Sequence, residues 1–269
     1  MTFVLKYPEN NGRTDGADPW SIRQTGVYQS YDSGTKASLW ILLNPRQNTT
    51  LDTRVKALLN SSQDALDESS LLGLIALSTY FVNWRAYMAY WEKEELRLVG
   101  QAFQSSVIVA EFCQSGVVIS AIINEELQFS HSTLSELRRL EARLLLLPPI
   151  FHSIMQSIKI LEAFNDALHT DSSISDETHN TTQEILQNYS NTAAAYSHNA
   201  TFIRDKIRGT AQLLSDTLNL KHQQIAQRIS ENTLALNDAA VRESATIRVI
   251  TVVTLLFLPS SFVAVSAPQ

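Results

Sequence analysis

The sequence is poor in the residues that staple a fold or cradle a phosphate. A single cysteine, Cys113, excludes an intramolecular disulfide framework and any cysteine-based zinc cluster. It also points to a reducing compartment. Its neighbours Val107, Ile108, Val109, Phe112 and Val117 are apolar, so a packed thiol is expected rather than a reactive one. Glycine is scarce, at 8 in 269 residues, and no Gly-x-Gly-x-x-Gly, P-loop or Gly-x-Ser-x-Gly motif occurs. That removes the common phosphate-binding loops and the nucleophile elbow. His131, His152, His169, His179, His198 and His222 show neither His-x-x-x-His nor Glu-x-x-His spacing, so no zinc or di-metal site is expected. Cationic excess is missing too. A formal net charge of −6 argues against a nucleic-acid partner and is compatible with handling divalent cations. Nothing in these features points to an enzyme, and no tightly bound cofactor is expected.

Residues 1–6 are short and mixed and residues 7–19 polar, which does not read as a targeting segment. The Asn-x-Ser/Thr triplets at Asn48, Asn60, Asn180, Asn188 and Asn199 are chance matches in a chain rich in these residues. What is present is an apolar fraction of 44% against 18% charged, enough to bury a core and too apolar for a disordered chain.

The breakers divide the chain. Pro8, Pro19, Pro45, Pro148 and Pro149 lie in the first part, and between Pro149 and Pro259 the one glycine is Gly209, so the second part reads as long helices. In the first part, residues 26–31 and 36–43 are rich in aromatic and aliphatic side chains. Asp32-Ser33-Gly34 between them is turn chemistry, which predicts a β-hairpin ended by Asn44-Pro45. Over residues 71–98, Leu74, Leu77, Phe81, Trp84 and Met88 recur at helical spacing before Glu92, Lys93, Glu94 and Glu95, predicting one amphipathic helix. Residues 107–123 fit either two short buried strands turning at Gln114-Ser115-Gly116 or one buried helix. Ser132 and Thr133 before Glu136 predict a capped helix to about Leu147. A further helix is expected over residues 150–168, and residues 171–176 read as a polar loop.

The last segment is the most regular. Ile203, Ile207, Leu214, Leu218, Ile225, Ile229, Leu236, Ala240, Ile247 and Ile250 are separated by threes and fours or their sums, one helical stripe. A helix from Thr182 to Leu258 would be on the order of 110 Å long. That length belongs to a coiled coil, a stalk or a membrane protein. Residues 249–267 carry no charge and are about long enough to span a bilayer, although Thr251, Thr254, Pro259, Ser260, Ser261 and Ser266 weaken them.

The junction Arg242-Glu243-Ser244-Ala245-Thr246-Ile247-Arg248 followed by the Thr-rich apolar run and Phe257-Leu258-Pro259-Ser260-Ser261-Phe262-Val263-Ala264 resembles the stalk-to-first-membrane-helix passage of CorA-like metal-ion transporters of the filamentous-fungal type. Trp20-Ser21-Ile22-Arg23-Gln24-Thr25-Gly26-Val27-Tyr28, followed by Tyr31-Asp32 and Trp40-Ile41-Leu42-Leu43, resembles a strand segment of the same group. Ser78-Thr79-Tyr80-Phe81-Val82-Asn83-Trp84-Arg85-Ala86-Tyr87 resembles its Asn-Trp-Arg helix, and residues 134–149 the helix before the stalk.

The resemblance implies an α+β architecture: a mixed α/β cytoplasmic domain over residues 1–130, a helical stalk region over 131–248, and a partial transmembrane helix over 249–267. It implies Mg²⁺ or another divalent cation as transported or regulatory ion, a homo-oligomer of five copies, and a membrane location with the bulk of the chain on the cytoplasmic side. The family's Gly-Met-Asn signature should follow Ala264, where Val265-Ser266-Ala267-Pro268-Gln269 stands instead. A fragment not competent for transport alone is therefore expected. Thr251, Thr254 and Ser261 are the candidate pore-lining residues by position, although such hydroxyls commonly bond their own helix. Asp64, Asp67 and Glu68, and Glu92, Glu94 and Glu95, are acidic groups whose side chains fan around a helix axis; they read as a solvated face rather than a cation site. In Asn83-Trp84-Arg85, the aromatics are expected in the core and Arg85 outside. The stripe is expected to be covered partly by another subunit. The alternative is a soluble fungal interaction protein using a coiled-coil-like stalk.

Overall fold

The computed structural model describes residues 1–13, 18–32, 34–35, 37–47, 49–61, 71–115 and 120–265, with side chains outside 58–59, 61, 71, 104–129 and 256–265. The fold is α+β. Three strands, β1 (Thr2–Asn10), β2 (Trp20–Asp32) and β3 (Ala37–Leu43), are followed by six helices. These are α1 (Thr50–Ser61), α2 (Leu71–Tyr80), α3 (Val82–Ser115), α4 (Ser120–Leu144), α5 (Leu147–Thr170) and α6 (Asp176–Val265). The chain divides into two compact units, Met1–Leu214 and Ser215–Gln269.

The sheet is antiparallel, in the order β1-β2-β3. The predicted hairpin is β2–β3, with Tyr28 opposite Ile41 and Gly26 opposite Leu43. Its turn is set by Asp32, whose carboxylate accepts from the Gly34 amide (3.0 Å) and the Thr35 hydroxyl (2.8 Å), bonds that hold its pKa below the usual value. The strand β1 lies outside the sequence-based expectation. Its alternation of Phe3, Leu5 and Tyr7, all buried, is the period-two signal of a half-covered strand. These side chains face the helices together with Val27, while Val4, Tyr28, Ile41 and Leu43 are exposed. The strand order makes β3 a sheet edge.

The helix expected over residues 71–98 is two helices. The chain tightens at Phe81, where the Trp84 amide donates to the Phe81 carbonyl at 3.1 Å. The Phe81 ring packs against Tyr189 at 5.0 Å. Of the two readings of residues 107–123, the described residues are helical, in the end of α3 and the start of α4. Ser132 and Thr133 do not cap a helix, because α4 already runs through them from Ser120; a cap motif acts only where the preceding turn is not helical. Pro148 and Pro149 sit in the first turn of α5, where the missing amide hydrogens cost nothing. Gly73 lets α2 approach α5: a Cβ there would lie 2.3 Å from Leu161 Cδ2. The helix α6 begins at a cap, with Ser175 Oγ accepting from the Thr178 amide (3.1 Å) and Asp176 and Glu177 in the first turn. It runs past Gly209 without interruption.

In the unit Met1–Leu214 the core centres on Trp84, buried against Phe151 (4.6 Å between ring centroids) and Tyr87 (5.5 Å). Tyr7 of β1 stacks on Tyr80 at 3.7 Å, and burial raises its pKa. One stretch among the described residues, Ser130–Thr170, is long enough to cross a membrane and holds an 18-residue window with a mean hydropathy of 1.5. It is broken between Leu144 and Leu147, and Leu137, Leu140, Phe151, Ile154 and Ile158 are buried, so its apolarity serves the core.

Two stability measurements check this account. Trp84→Ala removes the central ring and is expected to cost about 3–5 kcal/mol in denaturant unfolding. Ser172, between α5 and α6, holds a φ of 56°, so Ser172→Gly should relieve roughly 1 kcal/mol of left-handed strain and raise the unfolding midpoint.

Candidate functional site

The segments Trp20–Tyr28 and Ser78–Tyr87 are far apart in sequence and meet in the fold. The Asn83 amide donates to the Pro8 carbonyl of β1 (3.0 Å), and the Trp20 ring meets Tyr87 edge-on at 5.7 Å. Within the Arg-Gln-Thr run, Arg23 Nε donates to Glu9 (3.1 Å) on the neighbouring strand. Thr25 is buried and its hydroxyl donates to the Asn44 side-chain oxygen. The Asn44 amide in turn donates to Asp52 (2.7 Å), whose carboxylate also accepts from the Thr49 amide at 3.3 Å. A polar chain thus ties the sheet edge to the start of α1. Trp84 and Tyr87 are buried and Arg85 is exposed, as expected of a core-facing aromatic pair.

Between β1, β2, α3 and the α4–α5 turn lies an open cleft of about 560 Å³. Its charged lining is Lys6, Arg23, Arg143 and Asp18, beside Trp20 and Tyr87. Arg143 pairs with Asp18 and lies 5.4 Å over the Trp91 ring, a cation–π contact that holds the guanidinium at the rim. Sequence reasoning missed this cleft, since its walls come from three segments with no common motif. It offers cationic and aromatic surface and no nucleophile–base pair.

Glu92, Glu94 and Glu95 of α3 are not a solvated face. They fan around the axis, and each finds a different partner. Glu92 accepts from the Asn199 amide (2.5 Å) of α6. Glu94 binds Arg97 (2.6 Å), which also reaches Glu136 (2.8 Å) of α4, and the Arg97 bond lowers the Glu94 pKa. Glu95, 4% exposed, lies 2.8 Å from the Lys206 ammonium as a charge contact without hydrogen-bond geometry. The surface charges expected from the sequence therefore join α3 to α4 and α6. Asp64, Asp67 and Glu68, and the Cys113 side chain, lie outside the described residues.

The α5–α6 turn stacks His169 on His179, with ring centroids 4.4 Å apart. His169 Nε2 is 2.7 Å from Asp176, and the Asn165 amide meets His179 Nδ1 at 3.1 Å. Spacing in sequence could not show this pair, because the turn creates it. Among the described residues, no three His, Cys, Asp or Glu side chains converge on a metal position.

On the last turns of α6, Thr251 donates to the Ile247 carbonyl (2.8 Å) and Thr254 to the Ile250 carbonyl (2.6 Å). Their oxygen lone pairs stay free to accept. The Ser261 side chain lies outside the described residues. By helical spacing, Thr251, Thr254 and Ser261 share one face.

Residues 1–103 match the family of CorA-like transporters. The match covers 103 of the 269 residues and supports a CorA-like reading of that part of the chain. It takes in the sheet, α1, α2 and the part of α3 bearing Asn83-Trp84-Arg85 and the carboxylate set. No curated protein and no solved structure matches the chain.

The Glu95–Lys206 contact generates a testable asymmetry. Lys206→Met leaves a buried carboxylate without its cation and should cost roughly 1–3 kcal/mol. Glu95→Leu with Lys206→Met removes both charges and should recover most of that loss. Equal destabilisation of the single and double variants in denaturant unfolding would show that the contact is not the reason.

Proposed function

We propose that residues 1–248 form the cytoplasmic part of a CorA-like divalent metal-ion transporter, with residues 249–267 as the start of its first membrane helix and Mg²⁺ as the transported ion. The match of residues 1–103 to the CorA-like family carries this reading. The helix α6 supports it, since it continues unbroken into the uncharged segment that begins at Val249. Arg242 and Arg248 stand immediately before that segment. They favour keeping the preceding residues on the cytoplasmic side, as the positive-inside rule expects.

Mg²⁺ is a hard cation that keeps part of its water shell and takes oxygen ligands. Threonine hydroxyls that have spent their hydrogen on the helix backbone present such oxygens. Thr251, Thr254 and Ser261 are therefore the proposed pore-lining positions, the first two resting on their observed backbone bonds. A path lined by one face of each helix needs several copies around an axis, and the family likeness suggests five. The acidic groups of α3 act in this reading as interhelical ties that keep the domain rigid.

Fractionation and uptake assays test the proposal together. The polypeptide of residues 1–269 should partition with membranes, whereas a version ending at Arg248 should be soluble. In a host deficient in divalent uptake, the 269-residue polypeptide expressed by itself should not restore Mg²⁺ accumulation, since residues 249–269 hold neither a second apolar helix nor the Gly-Met-Asn signature. Recovery of the longer form in the soluble fraction would defeat the membrane reading and favour a soluble interaction protein. Restored uptake would defeat the assignment of the signature as essential.

A further inference from the structure

The cleft between β1, β2, α3 and the α4–α5 turn has two features that core packing does not use, an unpaired cation and an uncovered aromatic face. Its lining lies within the unit Met1–Leu214. On the paired strands, Lys6 stands opposite Gln24, Pro8 opposite Ile22 and Asn10 opposite Trp20. By strand alternation, Lys6, Trp20, Ile22 and Gln24 share one face of the sheet. Leu147 and Ile150 of α5, both buried, form a further wall.

The charges of the lining are unevenly paired. Arg23 is held by Glu9 and Arg143 by Asp18. Arg46, which also approaches Glu9 at 3.9 Å, is not part of the lining. Lys6 is half-buried and has no ion pair among the described residues. The lining therefore carries a surplus of one positive charge. Its two guanidinium groups remain donors as well, since Arg23 spends Nε and Arg143 Nη1 on their carboxylates. Trp20 is half-buried and meets Tyr87 edge-on, at an interplanar angle of 86°. Such a contact leaves at least one face of the indole clear of Tyr87. The Trp20 backbone is held in place, because one Asp18 oxygen accepts from its amide at 3.0 Å while the other pairs with Arg143. Pro148 and Pro149 at the start of α5 carry no amide hydrogen, so the ligands for an anion here are side chains and not a helix terminus.

We propose that this cleft binds a nucleoside monophosphate, with the base on Trp20 and the phosphate at Lys6. A bare anion would leave the aromatic and aliphatic walls unused. A purely apolar ligand would bury the Lys6 ammonium without a partner, which is costly. A planar base that carries one phosphate satisfies both, and its phosphate oxygens accept from the spare guanidinium N–H groups. Gln24 offers an amide donor and a carbonyl acceptor for the edge of a base. The volume of about 560 Å³ falls within the range of small-molecule pockets. One surplus cation does not balance the several charges of a triphosphate, so the monophosphate is the better match. The site is remote in sequence from residues 249–267 and does not rest on the transport reading.

Calorimetric titration of the purified 269-residue chain with AMP, GMP, CMP and UMP tests the site. At least one should bind, and more tightly than its own nucleoside, its own triphosphate or inorganic phosphate. Lys6→Gln should weaken that monophosphate about tenfold and bring it towards the nucleoside. Trp20→Leu should weaken it as well, with helicity unchanged by circular dichroism. Lys6→Gln changes a half-buried strand position and decides the matter alone if Trp20→Leu does not fold. Tighter binding of the triphosphate would overturn the charge match. Inorganic phosphate binding as strongly as the monophosphate would overturn the role of the indole. No binding of any of the four by the folded chain, or an unchanged affinity in Lys6→Gln, would overturn the site itself.

Discussion

The indole of Trp84 stands where the elements of the N-terminal unit converge. It is fully buried, with Phe151 of α5 on one side and Tyr87, one turn along α3, on another. Phe151 reaches Tyr196 of α6 at 5.8 Å. Asn83, the preceding residue, ties the start of α3 to β1 through the Pro8 carbonyl. A large planar ring at this point sets the spacing of three helices and brings the sheet onto them. Aromatic side chains suit the task because each removes much apolar surface from water and has few rotamers to lose.

Around that centre the polar groups act as ties. Glu92 and Glu95 each bind a residue of α6, while Arg97 holds Glu94 and Glu136 together across α3 and α4. A charge contact at a buried carboxylate adds little net stability, but it punishes any arrangement that separates the partners. The same carboxylates are thereby unavailable as a convergent cation site.

The sequence by itself determined the long α6, because between Pro149 and Pro259 no breaker but Gly209 interrupts an apolar stripe. It also determined the β2–β3 hairpin, because Asp32 and Gly34 supply turn chemistry between two apolar runs. The Arg-Gln-Thr and Asn-Trp-Arg segments carried enough specificity to show a resemblance to CorA-like transporters, and both lie within residues 1–103, which match that family. Local chemistry settles such features, since a cap, a turn or a helical period needs only near neighbours.

Tertiary structure decided the rest. The strand β1 is of mixed composition, and its alternation acquires meaning only beside β2. The break at Phe81 and the passage of α4 through Ser132 and Thr133 depend on what those residues pack against. Residues 107–123 could not be assigned by period, because a largely apolar run reads alike as helix or strand. The roles of Glu92, Glu95 and the His169–His179 pair arise from contacts between α3 and α6 and across the α5–α6 turn. Spacing along the chain carries no trace of such pairings, and the cleft at Trp20 and Arg143 exists only because three distant segments meet.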